Sequence, residues 1–253
     1  NFCVRRVELA RDAMDTWAGT CCSPGPSGIP PVGVLALTVP LPDVGALAVH
    51  PPTRDLYFVS NDLLQHVFYV DSRGVLQHAY IGGRIPAGIA GIVFDGSGLL
   101  VGTDFDGCKV WGFPDPHSEE LVAGTSCGGP LPTGPTPALL ASFGAPRAIG
   151  YDFGHHVLYF TTDDGVTLAL TDVRGTPMIH PSVGNTVGVP DCGPGTAVAQ
   201  PATLSLGVHP THGLFIGSTG TFNVLNYKPG RYRCAPHQRR RHRKRQARQL
   251  RRP

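Results

Sequence analysis

Val44-Gly-Ala-Leu-Ala-Val-His50, Ile89-Ala-Gly-Ile-Val-Phe-Asp95, Arg147-Ala-Ile-Gly-Tyr-Asp152 and Leu204-Ser-Leu-Gly-Val-His209 are four copies of one phrase, a short apolar strand ending in Asp or His. A second apolar run follows each copy, at residues 55–60, 99–103, 157–162 and 214–218. From His50 to Asp95, Asp152 and His209 the spacings are 45, 57 and 57 residues. A period of this length made of short strands points to a solenoid or a propeller. Each unit continues with a polar turn and a third strand, at 66–71, 108–113, 166–173 and 222–227. A fourth strand follows at 76–81, 119–124 and 177–180, while the last copy offers only 232–234. Four antiparallel strands joined by hairpins make the blade of a β-propeller.

The N-terminus is out of phase with this unit. Residues 2–12 and 14–20 match the third and fourth strands of a blade, and Ala-Gly-Thr recurs at 18–20 and 123–125. The expected organisation is therefore a half-blade over 1–28, blades over 29–84, 85–130, 131–190 and 191–234, and a tail over 235–253. Such an arc would be partial or open, exposing strand edges that something must cover. The chain opens on Asn1 rather than Met, which reads as a processed product, an excised piece or an incomplete gene reading.

Composition agrees with an all-β protein. The 33 glycines and 25 prolines among 253 residues cluster at strand ends as turn punctuation. No window sustains a 3.6-residue apolar rhythm. No run approaches the roughly 18 apolar residues of a membrane span, and no secretory leader pattern is present. The net charge of +3 hides an asymmetry, because residues 235–253 hold nine of the 21 basic side chains and no acid. Residues 1–234 then carry 12 bases against 18 acids, a net charge of −6. Seven cysteines (3, 21, 22, 108, 127, 192 and 234) show no metal-binding spacing. The expectation is buried or loop thiols, with disulfides in an oxidising compartment as the alternative.

Val4-Arg-Arg-Val-Glu-Leu-Ala with Thr16-Trp-Ala-Gly, and Leu121-Val-Ala-Gly-Thr leading to Ala145-Pro-Arg-Ala-Ile-Gly-Tyr-Asp152, resemble NHL repeats, whose recurring phrase is "IRKVDL…TLAG…G…P.GIAVD…LYVAD". The similarity covers most of residues 2–234. The family's Asn-Arg before the third strand is missing, and Ser218-Thr-Gly220 replaces the turn Asp. The resemblance implies a propeller of about six blades, of which four and a half are written here. Of the Gly- and Pro-rich loops 23–31, 126–144 and 184–202, the latter two enlarge the spacing from 45 to 57 and are expected to decorate one rim.

Candidate chemistry lies at the turns. Asp62, Asp104 with Asp106, and Asp163 with Asp164 end the second strand of successive blades and could converge on Ca²⁺. The bland alternative is an Asp accepting hydrogen bonds from its own turn. His50 and His209 occupy equivalent turns, with His155, His156 and His212 nearby, so Zn²⁺ is geometrically conceivable. Against this, a turn His is ordinarily solvated, and no third ligand or general base is indicated. No nucleophile elbow, H-E-x-x-H or phosphate-binding loop occurs.

Arg239, Arg240, Arg241, Arg243, Lys244 and Arg245 lie in a tail expected to be disordered, which could bind nucleic acid with steep salt dependence. It lacks aromatics to stack bases. The function expected is a non-catalytic scaffold that presents rim loops to a protein or ligand and needs no cofactor. The alternatives are a metal-dependent lyase or lactonase using Ca²⁺ or Zn²⁺ in the channel, and RNA binding by the tail.

Overall fold

The computed structural model describes residues 3–21, 29–60, 66–81, 88–183, 203–209, 211–218, 224–228 and 231–233. Asp62 and the basic tail lie outside them. Strands β1 (Val4–Glu8) and β2 (Ala13–Ala18) form a two-stranded antiparallel sheet. The first four-stranded blade is β3 (Val44–Val49), β4 (Leu56–Ser60), β5 (Val67–Val70) and β6 (Leu76–Tyr80). The second is β7 (Ile89–Phe94), β8 (Leu100–Asp104), β9 (Lys109–Asp115) and β10 (Ser118–Ala123). A short β11 (Thr136–Pro137) precedes the third blade, β12 (Pro146–Asp152), β13 (Val157–Thr162), β14 (Thr167–Thr171) and β15 (Met178–Val183). The fourth is β16 (Thr203–His209), β17 (Gly213–Ser218), β18 (Val224–Lys228) and β19 (Arg231–Arg233). Within each blade neighbouring strands pair in sequence order, and β3, β7, β12 and β16 lie against one another in succession. Meandering sheets radiating from a row of first strands are the geometry of a β-propeller.

Alternation along the strands builds a core between every pair of blades. Leu56 and Phe58 of β4 face the two-stranded sheet with Val4, Ala18 and Phe68, whereas Val59 of the same strand faces the second blade with Tyr80, Ile92 and Phe113. Leu158, Phe160, Leu168 and Leu170 fill the next interface with Val101 and Phe143. Tyr159 and Val183 meet Leu214 and Ile216 in the last. Each wholly buried Phe or Leu contributes about 1.5–3 kcal/mol, so the interfaces between sheets carry most of the stability.

The recurring Ala-Gly-Thr is a hook between blades. Ala18 and Ala123 are fully buried. The Gly19 N–H donates to the Ala36 carbonyl and the Gly124 N–H to the Ala138 carbonyl, each at 2.9 Å. Both acceptors begin a 3₁₀ turn, Ala36–Thr38 or Ala138–Leu140. Just before each turn the chain pairs with the outer edge of the next blade, Leu35 with Val75 and β11 with β15. Residues 136–140 of the long loop are therefore bound to the blade rather than decorating a rim.

The thiol expectation is corrected for four cysteines. Cys3–Cys21 and Cys108–Cys127 are disulfides, closing 18 and 19 residues of chain. Both run from the start of a third strand to just beyond the hook. Cys22, Cys192 and Cys234 lie outside the described residues. Disulfide and hook together place β1 and β2 at the positions of β9 and β10. Among the described residues no strand lies where the partners of β1 would be, and the side chains of Leu47 (49 % exposed) and Val49 (44 %) on β3 face outward there.

Candidate functional site

The four residues that define the repeat are first of all turn caps. Asp95 Oδ1 accepts from the N–H groups of Ser97 and Leu99 at 2.8 Å, and Asp152 Oδ1 from those of Gly154 at 2.9 Å and His155 at 3.2 Å. His209 does the same with Nδ1, which accepts from the N–H groups of Thr211 and His212 at 3.2 Å. His50 departs from the pattern. Its Nδ1 lies 2.8 Å from the Thr53 hydroxyl, which donates to Asp55 Oδ2 at 2.6 Å. The ring turns edge-on to Phe94 at 4.7 Å.

The other expected ligands have local partners or stand apart. Asp104 is fully buried, with Oδ1 accepting from the Gly107 N–H at 2.9 Å and Oδ2 from the Trp111 Nε1–H at 3.2 Å. Asp163 sits beside Asp164, whose carboxyl is pushed up by burial and by its neighbour's charge. No three His, Cys, Asp or Glu side chains converge as a metal would require among the described residues. Asp62 and residues 239–245 of the tail fall outside those residues.

What the turn of His50 opens is a cleft of about 330 Å³ between the first and second blades. Phe94, Leu100 and Phe113 are its buried lining, and Tyr57 and Tyr69 form one wall. His50, Thr53, Asp55, His78, Pro114, Asp115 and Pro116 contribute the polar and exposed part. Tyr57 and Tyr69 are paired across β4 and β5 and stack at 5.0 Å with 14° between their planes, and Phe94 meets Tyr57 edge-on at 4.7 Å. Burial, then Tyr69 and Asp55, push the Tyr57 phenol up to about 12, so it stays a hydroxyl donor. Asp115 is held below the usual carboxylate range by hydrogen bonds from the Ser118 hydroxyl and the His117 N–H. Burial, then the neighbouring His66, lowers the His78 pKa.

The corresponding positions of the next blades carry different side chains. Strand register aligns the Tyr57–Tyr69 pair with Val101–Gly112 and Tyr159–Ala169. Tyr151 stands where Phe94 does and carries its hydroxyl to within 3.3 Å of His156 Nδ1. Arg174 spans the same interface to Glu120 at 3.2 Å. Gly98 stands at the mouth in the left-handed region at φ +85°, where a Cβ would make ordinary contact with His50 Nε2 at 3.5 Å. None of these cleft residues except His50 was singled out from sequence. The available signal was a facing Tyr pair at positions that hold a small residue in the next two blades.

No family model matches the chain, and no curated protein does. Solved structures do match it. One is a protein of unknown function from Bacteroides thetaiotaomicron, with a TM-score of 0.62, 15% identity and coverage of 88% of this chain and 52% of that one. Another is an auxiliary nutrient binding protein from Bacteroides ovatus, with a TM-score of 0.59, 12% identity and coverage of 87% and 62%. A third, proposed to be a gluconolactonase, has a TM-score of 0.50, 15% identity and coverage of 90% and 69%. The likeness is one of fold. This chain spans only 52% and 62% of the first two structures.

Proposed function

We propose that this propeller is a non-catalytic binding module and that the cleft between the first two blades is its site. One observation carries the reading. The interface of the first two blades holds a cleft of about 330 Å³ lined by stacked aromatics and a His50–Thr53–Asp55 hydrogen-bond chain. Concave, largely apolar surfaces with a few fixed polar groups are the usual form of ligand sites. The residues around the cleft supply recognition chemistry and no activated nucleophile. The shared fold with a nutrient binding protein is compatible with the reading. An NHL type for these blades belongs to the same proposal, supported by the role the Ala-Gly-Thr phrase plays as a hook.

The alternative is a lactonase or lyase using Ca²⁺ or Zn²⁺. Incubating the purified protein with aldonolactones, with and without each metal, separates the two readings. Hydrolysis at the buffer rate is the expected result. Metal-dependent turnover that EDTA abolishes would overturn the binding reading.

A further inference from the structure

We propose that the cleft recognises an organic cation, an alkylammonium group on a side-chain-sized apolar stem. The inference rests on the cleft being a binding site and assigns its ligand class.

Charge is the first argument. Asp55 and Asp115 line the cleft, and no Lys or Arg does among the described residues. Asp115 has both oxygens occupied by its own turn, through the His117 N–H and the Ser118 hydroxyl. Asp55 accepts the Thr53 hydroxyl on Oδ2, and its Oδ1 has no donor among the described residues. An anionic ligand would be repelled by both carboxylates. A purely apolar ligand would strip water from Asp55 and pair it with nothing, which is costly.

The rings supply the second argument. Tyr57, Tyr69, Phe94 and Phe113 bring four aromatic rings to one small cavity. Tyr57 and Tyr69 are stacked on each other, so a cation would meet whichever ring face is left open to the cleft, an attraction that grows as water is excluded. Their apolar edges also cover a methylene stem.

The free oxygen count chooses the cation. A guanidinium is recognised best by a carboxylate offering two oxygens to its planar fork, whereas an ammonium acts as a point charge. Asp55 offers Oδ1 entire, whereas Oδ2 already accepts the Thr53 hydroxyl and is the weaker half of a fork. The tip that fits is therefore a primary ammonium, carried either by a free amine or by a lysine side chain of a protein.

Calorimetric titration of the intact chain tests this with four probes: N-acetyl-lysine methylamide, n-butylamine, the uncharged N-acetyl-norleucine methylamide, and glucose. The lysine derivative is expected to bind at least ~10-fold more tightly than its norleucine analogue. Tyr69→Ala should weaken it at least ~10-fold and Asp55→Asn ~5-fold, while Tyr69→Phe, which keeps the ring, should stay within ~2-fold. Circular dichroism and melting confirm that each variant is folded. Comparable binding of n-butylamine identifies a free amine as a sufficient ligand; binding of the lysine derivative alone points to a lysine within a polypeptide. Either supports the proposal. Equal affinity for the norleucine analogue, or silence from both ammonium probes up to ~10 mM, which corresponds to only ~3 kcal/mol of binding, overturns it. Glucose binding without ammonium binding removes the cation assignment and leaves the binding module intact. Lactone turnover removes the binding module itself.

Discussion

At the residue scale, Asp and His perform one task at the end of the first strand: holding a turn by accepting its N–H groups. Asp95 accepts from Ser97 and Leu99 while almost fully buried, so Asp95→Ala should destabilise the fold by about 1–3 kcal/mol in urea unfolding, because the buried Leu99 N–H loses its acceptor while the exposed Ser97 N–H can turn to water. His209 serves the same turn with Nδ1 at the surface. His209→Asp should therefore be nearly neutral and His209→Ala cost about 1 kcal/mol. A larger cost for Asp than for Ala would contradict the capping role. Aligning these positions from sequence was possible because the strand before each is apolar and regular. Their duty was harder to read, because a carboxylate that caps and one that ligates look alike until the turn's N–H groups are placed. His50 is the informative exception, with its ring released from the turn to line the cleft.

At the element scale, the hook and the disulfide fix how blades join. Gly124 has φ +98°, and a Cβ there would run into the Cys108 carbonyl and lie 2.9 Å from the Phe143 ring. Gly74 has φ +78° with open space around it. Gly124→Ala should thus cost well over 2 kcal/mol, whereas Gly74→Ala should cost about 1 kcal/mol, the backbone term alone. Each disulfide closes a short chain segment and is worth about 3 kcal/mol in the chain-entropy account. Double Cys→Ser replacement at 3 and 21 should lower the melting temperature and leave the second bond intact by mass spectrometry; unchanged melting would argue against the staple. Blades were legible in the sequence because short apolar runs bounded by turn residues recur along the chain, β4, β8, β13 and β17 among them. The bridges were not, since Cys3 and Cys21 become neighbours only once β1 and β2 pair. The outer strand at 136–137 escaped for a related reason. It is extended by its pairing with β15, not by apolar alternation.

At the scale of the whole molecule, stability should respond to acid in two stages. His66 and His78 have pKa values lowered from 6.5 by burial, and His66 Nδ1 and His78 Nε2 are buried without a hydrogen-bond partner. The unfolded chain then binds protons that the folded one refuses. The resulting loss of stability begins as pH falls through about 6.5. Asp71, held low by the Val75 N–H and Arg73, and Asp115, held low by Ser118 and His117, act later. Their contribution is complete above the unfolded value of about 3.9 and is lost as pH drops through the lower folded one. Urea midpoints between pH 7.5 and 5 should fall for the wild type and flatten in a His66→Leu/His78→Leu variant. An equally steep fall in that variant would assign the first stage to other groups.

The interface of the first two blades holds a cleft large enough for a small ligand, and the claim that this cleft is the site can be examined directly. A crystal of the protein soaked with N-acetyl-lysine methylamide should show the ligand between the first two blades, its stem along Tyr57 and Tyr69 and its nitrogen beside Asp55. Density for the ligand at any other place, or an unchanged cleft in a crystal soaked well above the measured dissociation constant, would contradict the account.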